Sequence, residues 1–332
     1  MKSEELKTLQ NSILEQLYLD FDIHARLSED PIEFPWRYDQ PAEREIAGFL
    51  SATLAFGRIN LFKPVIEKLL NLGKGSLLSF VMDFQPARDR SLLSGIYYRI
   101  WTEDDLAGLI YAIKTVLIRY GSLEKLFMKN YNPALPDLED AMIAFAAAFY
   151  DFNPGDIFPS GKISRGFRYF VTSPKNRSAC KRLCLFLRWM VRKGAPDFGL
   201  WKGIEPSKLI IPLDVHLFRV SRFMKLTRYN TAGWKSAKEI TARLRELEPD
   251  DPLKFDFPLC HFSISEQCPA AQPFPRNGNV CRICSIRGKC YFLPDPRHRK
   301  QIAAVKKPPM KKIRKGKTGQ EKLLKALSPA RE

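Results

Sequence analysis

Four cysteines near the C-terminal end of the chain, Cys268, Cys281, Cys284 and Cys290, have a spacing that is typical of metal ligands. The last three form a C-x2-C-x5-C pattern, in which two cysteines separated by two residues can reach neighbouring metal positions from one turn. Four thiolates suit a [4Fe-4S] cluster. They also suit a structural zinc ion, although zinc more often uses two C-x2-C pairs on either side of a longer loop. The spacing therefore predicts a metal centre and favours [4Fe-4S] over zinc.

Asp214 is the second candidate for a chemical role, because it stands at the start of a predicted helix. Leu217, Val220 and Met224 follow it at helical spacing. An Asp at this position ordinarily accepts hydrogen bonds from the N–H groups of the first turn, and a histidine such as His216 is ordinarily structural. The residues alone therefore predict a helix cap at Asp214, with a catalytic carboxylate as the alternative.

A predicted amphipathic helix from Ala179 to Lys193, together with the turn before it, is the third candidate. Cationic residues recur in the turn and on a helix face away from the apolar stripe, where N–H groups at the helix start could also hold phosphate. The alternative is a solvated face, which is the commoner outcome for a run of charges. The predicted nucleic-acid contacts here are Lys175, Arg177, Arg188 and Arg192, and Lys181 lies among them.

The charge of the whole chain supports a polyanionic partner. The net charge is +18, and the segment from Arg297 to Glu332 holds thirteen Lys or Arg against two Glu. Like charges and prolines oppose helix formation there, so we expect a disordered basic tail that contacts phosphates or keeps the protein soluble. The longest apolar stretch, Ala141 to Tyr150, is too short to cross a bilayer. We therefore expect a soluble protein with no membrane partner.

Helical periodicity dominates the rest of the chain, with no sustained alternation typical of strands. The sequence therefore predicts an all-α protein. Helices are predicted at Glu45 to Phe56, Leu61 to Leu72, Glu103 to Tyr120, Pro136 to Tyr150, Ala179 to Lys193, Val215 to Met224 and Lys235 to Leu247, with a short helix restarting at Ser122.

Two motifs in order carry a resemblance to a known family. Leu213-Asp-Val-His-Leu-Phe-Arg-Val220 is followed by Leu259-Cys-His-Phe262 and then by the four cysteines. This order resembles the helix-hairpin-helix DNA glycosylases of the endonuclease III type, which have a catalytic Asp at a helix start and a C-terminal [4Fe-4S] loop. The motifs span roughly Lys208 to Cys290, and Glu45 to Ala55 is similar to a buried helix of those enzymes. Asp30 to Tyr38 and Lys181 to Val191 are similar to a bacterial branch of that superfamily.

The resemblance implies an enzyme that cleaves the N-glycosidic bond of a damaged base flipped from duplex DNA. Asp214 would be the catalytic carboxylate, and Lys181 is the nearest candidate for the lysine that gives bifunctional members their AP-lyase activity. The expected protein is a cytoplasmic, nucleoid-associated monomer. The alternative is a non-catalytic iron–sulfur protein that binds DNA or RNA. Basic residues near the cysteines would contact DNA, namely Arg282, Arg287 and Lys289.

The same resemblance implies a two-lobed helical fold. Residues 1–44 would join a cluster lobe formed by residues 209–293, residues 45–208 would form a middle lobe, and residues 294–332 would be the basic tail. Two departures from the family pattern accompany this expectation. Twelve residues separate Cys268 from Cys281, a longer arm than the family has, and Ser173 to Lys181 lacks the glycines of the family hairpin.

Overall fold

The computed structural model of the protein describes residues 3–264, and this part of the chain is all-α. The α-helices are α1 Ser3–Asp20, α2 Ile23–Arg26, α3 Pro41–Leu54, α4 Ile59–Asn71, α5 Leu77–Asp83, α6 Pro86–Asp89, α7 Glu103–Tyr120, α8 Leu123–Lys129, α9 Glu139–Ala148, α10 Arg165–Arg168, α11 Lys181–Val191, α12 Val215–Phe223, α13 Trp234–Leu247 and α14 Asp256–Ile264. Short 3₁₀ turns, many of which begin at a proline, connect several of them.

The helix α3 lies at the centre of the core. Every residue from Glu45 to Leu54 is buried, so this helix is covered on all sides. It packs closely against α11, because a Cβ added at Gly48 would lie 3.0 Å from Met190 Cε. Phe49 packs its ring against Phe149 at 4.8 Å and against Phe186 at 5.2 Å between centroids. The core is therefore built largely from aromatic contacts around α3 and α11.

The buried carboxylate of Glu45 on α3 caps the start of α8. The Glu45 carboxylate accepts hydrogen bonds from the N–H groups of Leu123 at 3.0 Å and Glu124 at 2.9 Å, at the start of α8. The indole of Trp201 donates a third bond, at 2.7 Å. Burial raises the pKa of Glu45, although these three donors act in the opposite direction. Glu45 therefore fixes α8 against the centre of the core.

The bounds predicted for α7 are confirmed, and its local caps explain them. Thr102 Oγ1 accepts from the N–H of Asp105 at 3.3 Å, and Asp105 Oδ2 accepts from the N–H of Thr102 at 2.8 Å. This reciprocal pair is a capping box. Gly121 ends the helix in the left-handed region, with φ 86°.

Other helices end at residues that differ from the predicted ones. The helix α4 begins at Ile59, two residues before the predicted Leu61, and Pro64 lies inside it. The helices α9 and α11 are shorter at both ends than their apolar patterns predicted. The helix α11 begins at Lys181 after Cys180, whose side chain does not cap it. Ser178 Oγ accepts from the N–H of Cys180 at 3.2 Å.

The N-terminal helix packs against the last described helix. The helix α14 contacts both α1 and α12, and the edge of the Tyr18 ring meets the Phe255 ring just before α14 at 6.3 Å. Gln10 on α1 donates a hydrogen bond to the Met224 carbonyl after α12, at 2.6 Å. These contacts hold α12 and α14 next to each other.

Within residues 3–264, no single helix is long and apolar enough to cross a membrane. The helices α7 and α8 together reach the required length and composition, but the chain bends by 64° between them.

We expect Thr102→Ala to lower the free energy of unfolding by about 1 kcal/mol, because it removes the side chain that caps α7. Thr115→Ala on the same helix is the matched control. The Thr115 hydroxyl only donates to the Tyr111 carbonyl within the helix, at 2.9 Å, so its loss should change stability little. Urea unfolding of the two variants measures the difference, and equal midpoints would contradict the role of the cap.

Candidate functional site

An ion pair joins the starts of two helices. Lys181 is the first residue of α11 and Asp214 is the N-cap of α12, and Lys181 Nζ lies 3.2 Å from Asp214 Oδ2. The other carboxylate oxygen, Oδ1, accepts from the N–H of Leu217 at 2.8 Å. The Lys181 side chain is 37% exposed and the Asp214 side chain 15%. Asp214 is therefore a helix cap that also faces a partly exposed cation.

The pair determines the charge of both groups. Burial alone would raise the pKa of Asp214, but the Lys181 ammonium and the Leu217 N–H more than offset burial and hold that pKa below its ordinary value. Burial alone would lower the pKa of Lys181, but the Asp214 carboxylate reverses this effect and raises it above the ordinary value. At neutral pH the site therefore contains a carboxylate and an ammonium.

Cys260 on α14 and Asp30, which follows α2, lie close enough to this pair to interact with it electrostatically. Burial raises the pKa of the Cys260 thiol well above its ordinary value, and the carboxylates of Asp214 and Asp256 raise it further. Cys260 is therefore a neutral thiol. His261 Nε2 lies 3.8 Å from Asp30 Oδ2, and its ring lies 4.5 Å from the Phe257 ring centroid. Phe257 and His261 are buried and Cys260 is partly buried, so the part of α14 near the pair is packed against its neighbours.

The prediction that Arg188 and Arg192 contact nucleic acid is wrong, because both side chains are buried in ion pairs. Arg188 Nε lies 3.1 Å from Asp197 Oδ1, and Arg192 Nη1 lies 3.0 Å from Asp197 Oδ2. Arg188 also pairs with Asp256, and Arg192 with Asp251 at 2.9 Å. Burial alone would lower the pKa of Arg188, but Asp197 and Asp256 raise it. The cationic face of α11 meets carboxylates inside the protein and not solvent.

Lys175 and Arg177 are exposed, in the turn that leads to α11. Arg177 has a left-handed backbone, with φ 60°, and so does Cys180, with φ 49°. The Arg177 carbonyl accepts from the N–H of Trp234 at 3.2 Å, which fixes the turn to the start of α13. Their cationic side chains are therefore available at the surface next to the start of α11, as a phosphate contact requires.

Sequence reasoning placed Lys181 and Asp214 among the candidate residues, and the structure brings these two together. Sequence reasoning did not place Asp30 or Cys260 near this pair, and it did not place α14 next to α12. The segment Leu259-Cys-His-Phe262 was part of the family resemblance, but its residues do not indicate that it lies near Lys181 and Asp214. No local signal could have identified these neighbours, because they meet the pair through packing between helices that are distant in the sequence.

The predicted metal ligands, Cys268, Cys281, Cys284 and Cys290, lie outside the described residues. The predicted DNA contacts Arg282, Arg287 and Lys289 and the basic tail also lie outside them. In the part of the chain that the structure describes, no group of three or more His, Cys, Asp or Glu side chains has an arrangement that could hold a metal ion.

A comparison with protein families corrects the predicted resemblance. Residues 30–265 match the model of a family described as "Protein of unknown function (DUF2400)". The predicted membership of the helix-hairpin-helix DNA glycosylases is wrong, because no glycosylase family matches and the all-α structure does not distinguish that superfamily. An Asp that caps a helix and a pair of closely spaced cysteines are short patterns that recur on unrelated folds. No curated protein and no solved structure matches the chain.

Two substitutions should separate the contribution of the Asp214 charge to stability from the contribution of its helix cap. Asn caps helices about as well as Asp, so Asp214→Asn should remove only the ion pair and cost less than about 1 kcal/mol at pH 7. Asp214→Ala should cost a further 0.5–2 kcal/mol, roughly, because the cap on Leu217 is lost as well.

The same variants should respond differently to pH. Because the pKa of Asp214 is lowered by folding, its ionised form stabilises the protein above the unfolded pKa of about 3.9, and this contribution disappears as the pH falls through the folded pKa. The difference between wild type and Asp214→Asn should therefore shrink below about pH 4. Asp22→Asn is the control, since Asp22 caps α2 through Ala25 and forms no ion pair within residues 3–264. A difference that stays constant down to pH 2, roughly, would contradict the assignment.

Proposed function

This chain belongs to the DUF2400 family, and we propose that it acts on nucleic acid as a base-excision N-glycosylase. The observation that carries the proposal is the partly exposed ion pair of Lys181 and Asp214 at the starts of α11 and α12. The net charge of +18 supports a polyanionic substrate. The exposed Lys175 and Arg177 next to α11 support phosphate binding beside the pair.

Asp214 is suited to stabilise positive charge on a sugar. When the bond between a base and C1′ breaks, the sugar becomes oxocarbenium-like, and a nearby carboxylate stabilises it. The carboxylate must be ionised to do so, and Lys181 keeps the pKa of Asp214 low. The departing base takes the electron pair of the broken bond, and a water molecule adds to C1′. The proton that this water loses passes to the base, so the products are a free base and an abasic sugar. The base must leave the stack to reach such a site, so the substrate would be a flipped or unpaired nucleotide.

Lys181 is suited to a second step only after its proton is removed. Its raised pKa keeps Nζ protonated while the pair is intact, so a substrate must first displace Asp214 from the ammonium. The displaced ammonium gives its proton to solvent water, and the free amine adds to C1′ of the ring-opened abasic sugar. The hydroxyl formed at C1′ takes up a proton from solvent and leaves as water, which gives a protonated Schiff base. This intermediate permits strand cleavage and would make the protein an AP lyase as well.

The alternative function is non-catalytic binding of DNA or RNA. It is favoured by the hydrogen bond from the Leu217 N–H to Asp214, which gives this carboxylate a sufficient structural duty. Under this alternative, the ion pair only fixes α11 against α12. Both Asp214 variants would then change stability and leave no reaction to lose.

We also propose a [4Fe-4S] cluster on Cys268, Cys281, Cys284 and Cys290, with zinc as the alternative. The spacing of the cysteines supports it, and so does the position of Cys268, four residues after the end of α14. The helix α14 is fixed by its contacts with α1 and α12. A cluster there would have a structural role and could direct Arg282, Arg287 and Lys289 to the phosphates of the substrate, with the basic tail as a further phosphate contact.

Borohydride trapping on DNA tests the catalytic proposal. We expect wild type to be trapped covalently on abasic-site DNA, Lys181→Ala not to be trapped, and base release from a panel of oxidised, alkylated and deaminated bases to be lost in Asp214→Asn. Asp214→Asn keeps the cap, so lost activity with retained stability would separate catalysis from capping. Lys175→Ala is the control and should weaken DNA binding while trapping at saturating DNA continues. Base release by Asp214→Asn at the wild-type rate would contradict the proposal.

Visible absorption and the iron and sulfide content of the purified protein test the metal proposal. We expect the purified protein to be brown, with broad visible absorption and stoichiometric iron and sulfide, and Cys284→Ser to lose this absorption. Cys184→Ser is the matched control, because Cys184 is a buried core residue of α11 and should leave the iron content unchanged. A colourless protein with stoichiometric zinc would contradict the cluster and support the alternative ion.

A further inference from the structure

Four large apolar side chains are exposed in neighbouring parts of the surface. Phe56 follows α3 and is 36% exposed, Tyr97 is 64% exposed, Ile100 is 43% exposed, and Tyr169 follows α10 and is 40% exposed. Exposed arginines are interleaved with them in the sequence: Arg58, Arg99, Arg165 and Arg168. We call these side chains the aromatic–basic surface.

A tight turn projects part of this surface. Tyr98 and Trp101 form an antiparallel bridge with two hydrogen bonds, of 3.2 and 2.9 Å, so only Arg99 and Ile100 form the turn between them. Arg99 has a left-handed backbone with φ 55°, which is unfavourable for a residue with a side chain and persists only where the surroundings fix it. The Tyr98 hydroxyl anchors the turn by donating to the Phe56 carbonyl at 2.5 Å.

Buried aromatic packing supports the turn from below. Trp101 stacks on Phe170 with 4.7 Å between ring centroids, and its indole donates to the Gly166 carbonyl at 3.0 Å. A Cβ added at Gly166 would lie 2.7 Å from the Ile100 carbonyl oxygen, so α10 and the turn are in close contact. The exposed side chains therefore stand on a rigid base, and little ordering would be needed on binding.

Within residues 3–264, the arginines of this surface and the neighbouring Arg182 have no carboxylate partners. The Arg99 guanidinium lies 4.4 Å from the Phe56 ring centroid, and the Arg182 guanidinium lies 5.6 Å from it. Arg182 donates to the carbonyls of Thr53 and Tyr169 and forms no ion pair within residues 3–264. In the same range, Arg58, Arg99, Arg165 and Arg168 form no ion pair either. The nearby acidic start of α7 is already engaged, because Glu103 accepts from the Gly95 N–H and Asp104 pairs with Arg90.

We propose that the aromatic–basic surface binds single-stranded nucleic acid. Exposed aromatic rings stack on unpaired bases of any sequence, and unpaired arginines neutralise the phosphates between them. An intact duplex hides the faces of its bases and would gain only the phosphate contacts. The surface also connects to the candidate site, since Arg182 directly follows Lys181 at the start of α11. The inference that the bound strand leads to Lys181 and Asp214 rests on the proposed function, whereas strand binding itself does not.

Fluorescence anisotropy with the full-length protein tests this surface. The probe is a single-stranded DNA of about 16 nucleotides, near the upper end of ordinary site sizes, with the same sequence as RNA and as duplex DNA for comparison. We expect Tyr97→Ala and Tyr169→Ala each to weaken single-strand binding roughly tenfold at every salt concentration. Tyr97→Phe, which keeps the ring, should bind as wild type does. Ile118→Ala is the control, because Ile118 is 62% exposed on α7 outside this surface.

Substitution of the arginines should change the salt dependence of binding. Arg58→Ala and Arg168→Ala should each reduce the salt dependence of binding by about one counterion, whereas the tyrosine variants should leave it unchanged. This difference separates the surface from the basic tail, which contributes salt dependence but no stacking. Single-strand binding at wild-type affinity by both tyrosine variants would overturn the proposal, and so would a preference for intact duplex.

The two proposals fail in different ways. If the tyrosine variants lose binding but wild type is never trapped by borohydride, the surface stands and the proposed chemistry fails. If wild type is trapped and the tyrosine variants bind normally, the chemistry stands and the surface fails.

Discussion

The arrangement of the candidate site depends on a buried ion network on α11. Arg188 and Arg192 share the carboxylate of Asp197, and Arg188 also pairs with Asp256 at the start of α14. Charges so deeply buried are tolerated only when each has its partner, and the pair of Arg188 with Asp256 holds α11 against α14. On its other side, α11 is fixed by the close approach of Gly48 on α3 to Met190. Both constraints determine where the first residue of α11 lies.

The first two residues of α11 face two different parts of the protein. Successive residues of a helix point about 100° apart, so Lys181 and Arg182 cannot face the same neighbour. Lys181 faces Asp214 and the helices α12 and α14, whereas Arg182 reaches Thr53, Tyr169 and the ring of Phe56. A single rigid element thus positions both a charged pair that could act on a sugar and a cation beneath exposed aromatic rings.

The parts of the fold that local interactions determine could be predicted from the sequence. The bounds of α7 were correct because Thr102, Asp105 and Gly121 specify its ends within the helix and its flanks. Asp214 was expected as a cap for the same reason, and the structure confirms the cap. The fate of Arg188 and Arg192 could not be predicted, because a periodic cationic face has the same pattern whether it meets solvent or buried carboxylates. Their partners, Asp197 and Asp256, are recognisable only once the chain has folded.

The aromatic–basic surface also could not be predicted from the sequence, and it is the surface for which we propose single-strand binding. Phe56, Tyr97 and Tyr169 belong to three separate segments, and no spacing in the sequence relates them. They become neighbours because Trp101 and Phe170 stack beneath them and because the Tyr98 hydroxyl bonds to the Phe56 backbone. Trp101 and Phe170 are buried, whereas Phe56, Tyr97 and Tyr169 leave much of their surface exposed to solvent. Exposed rings beside arginines that have no carboxylate partner within residues 3–264 fit a partner with flat apolar faces and negative charge, and unstacked bases with their phosphates have both.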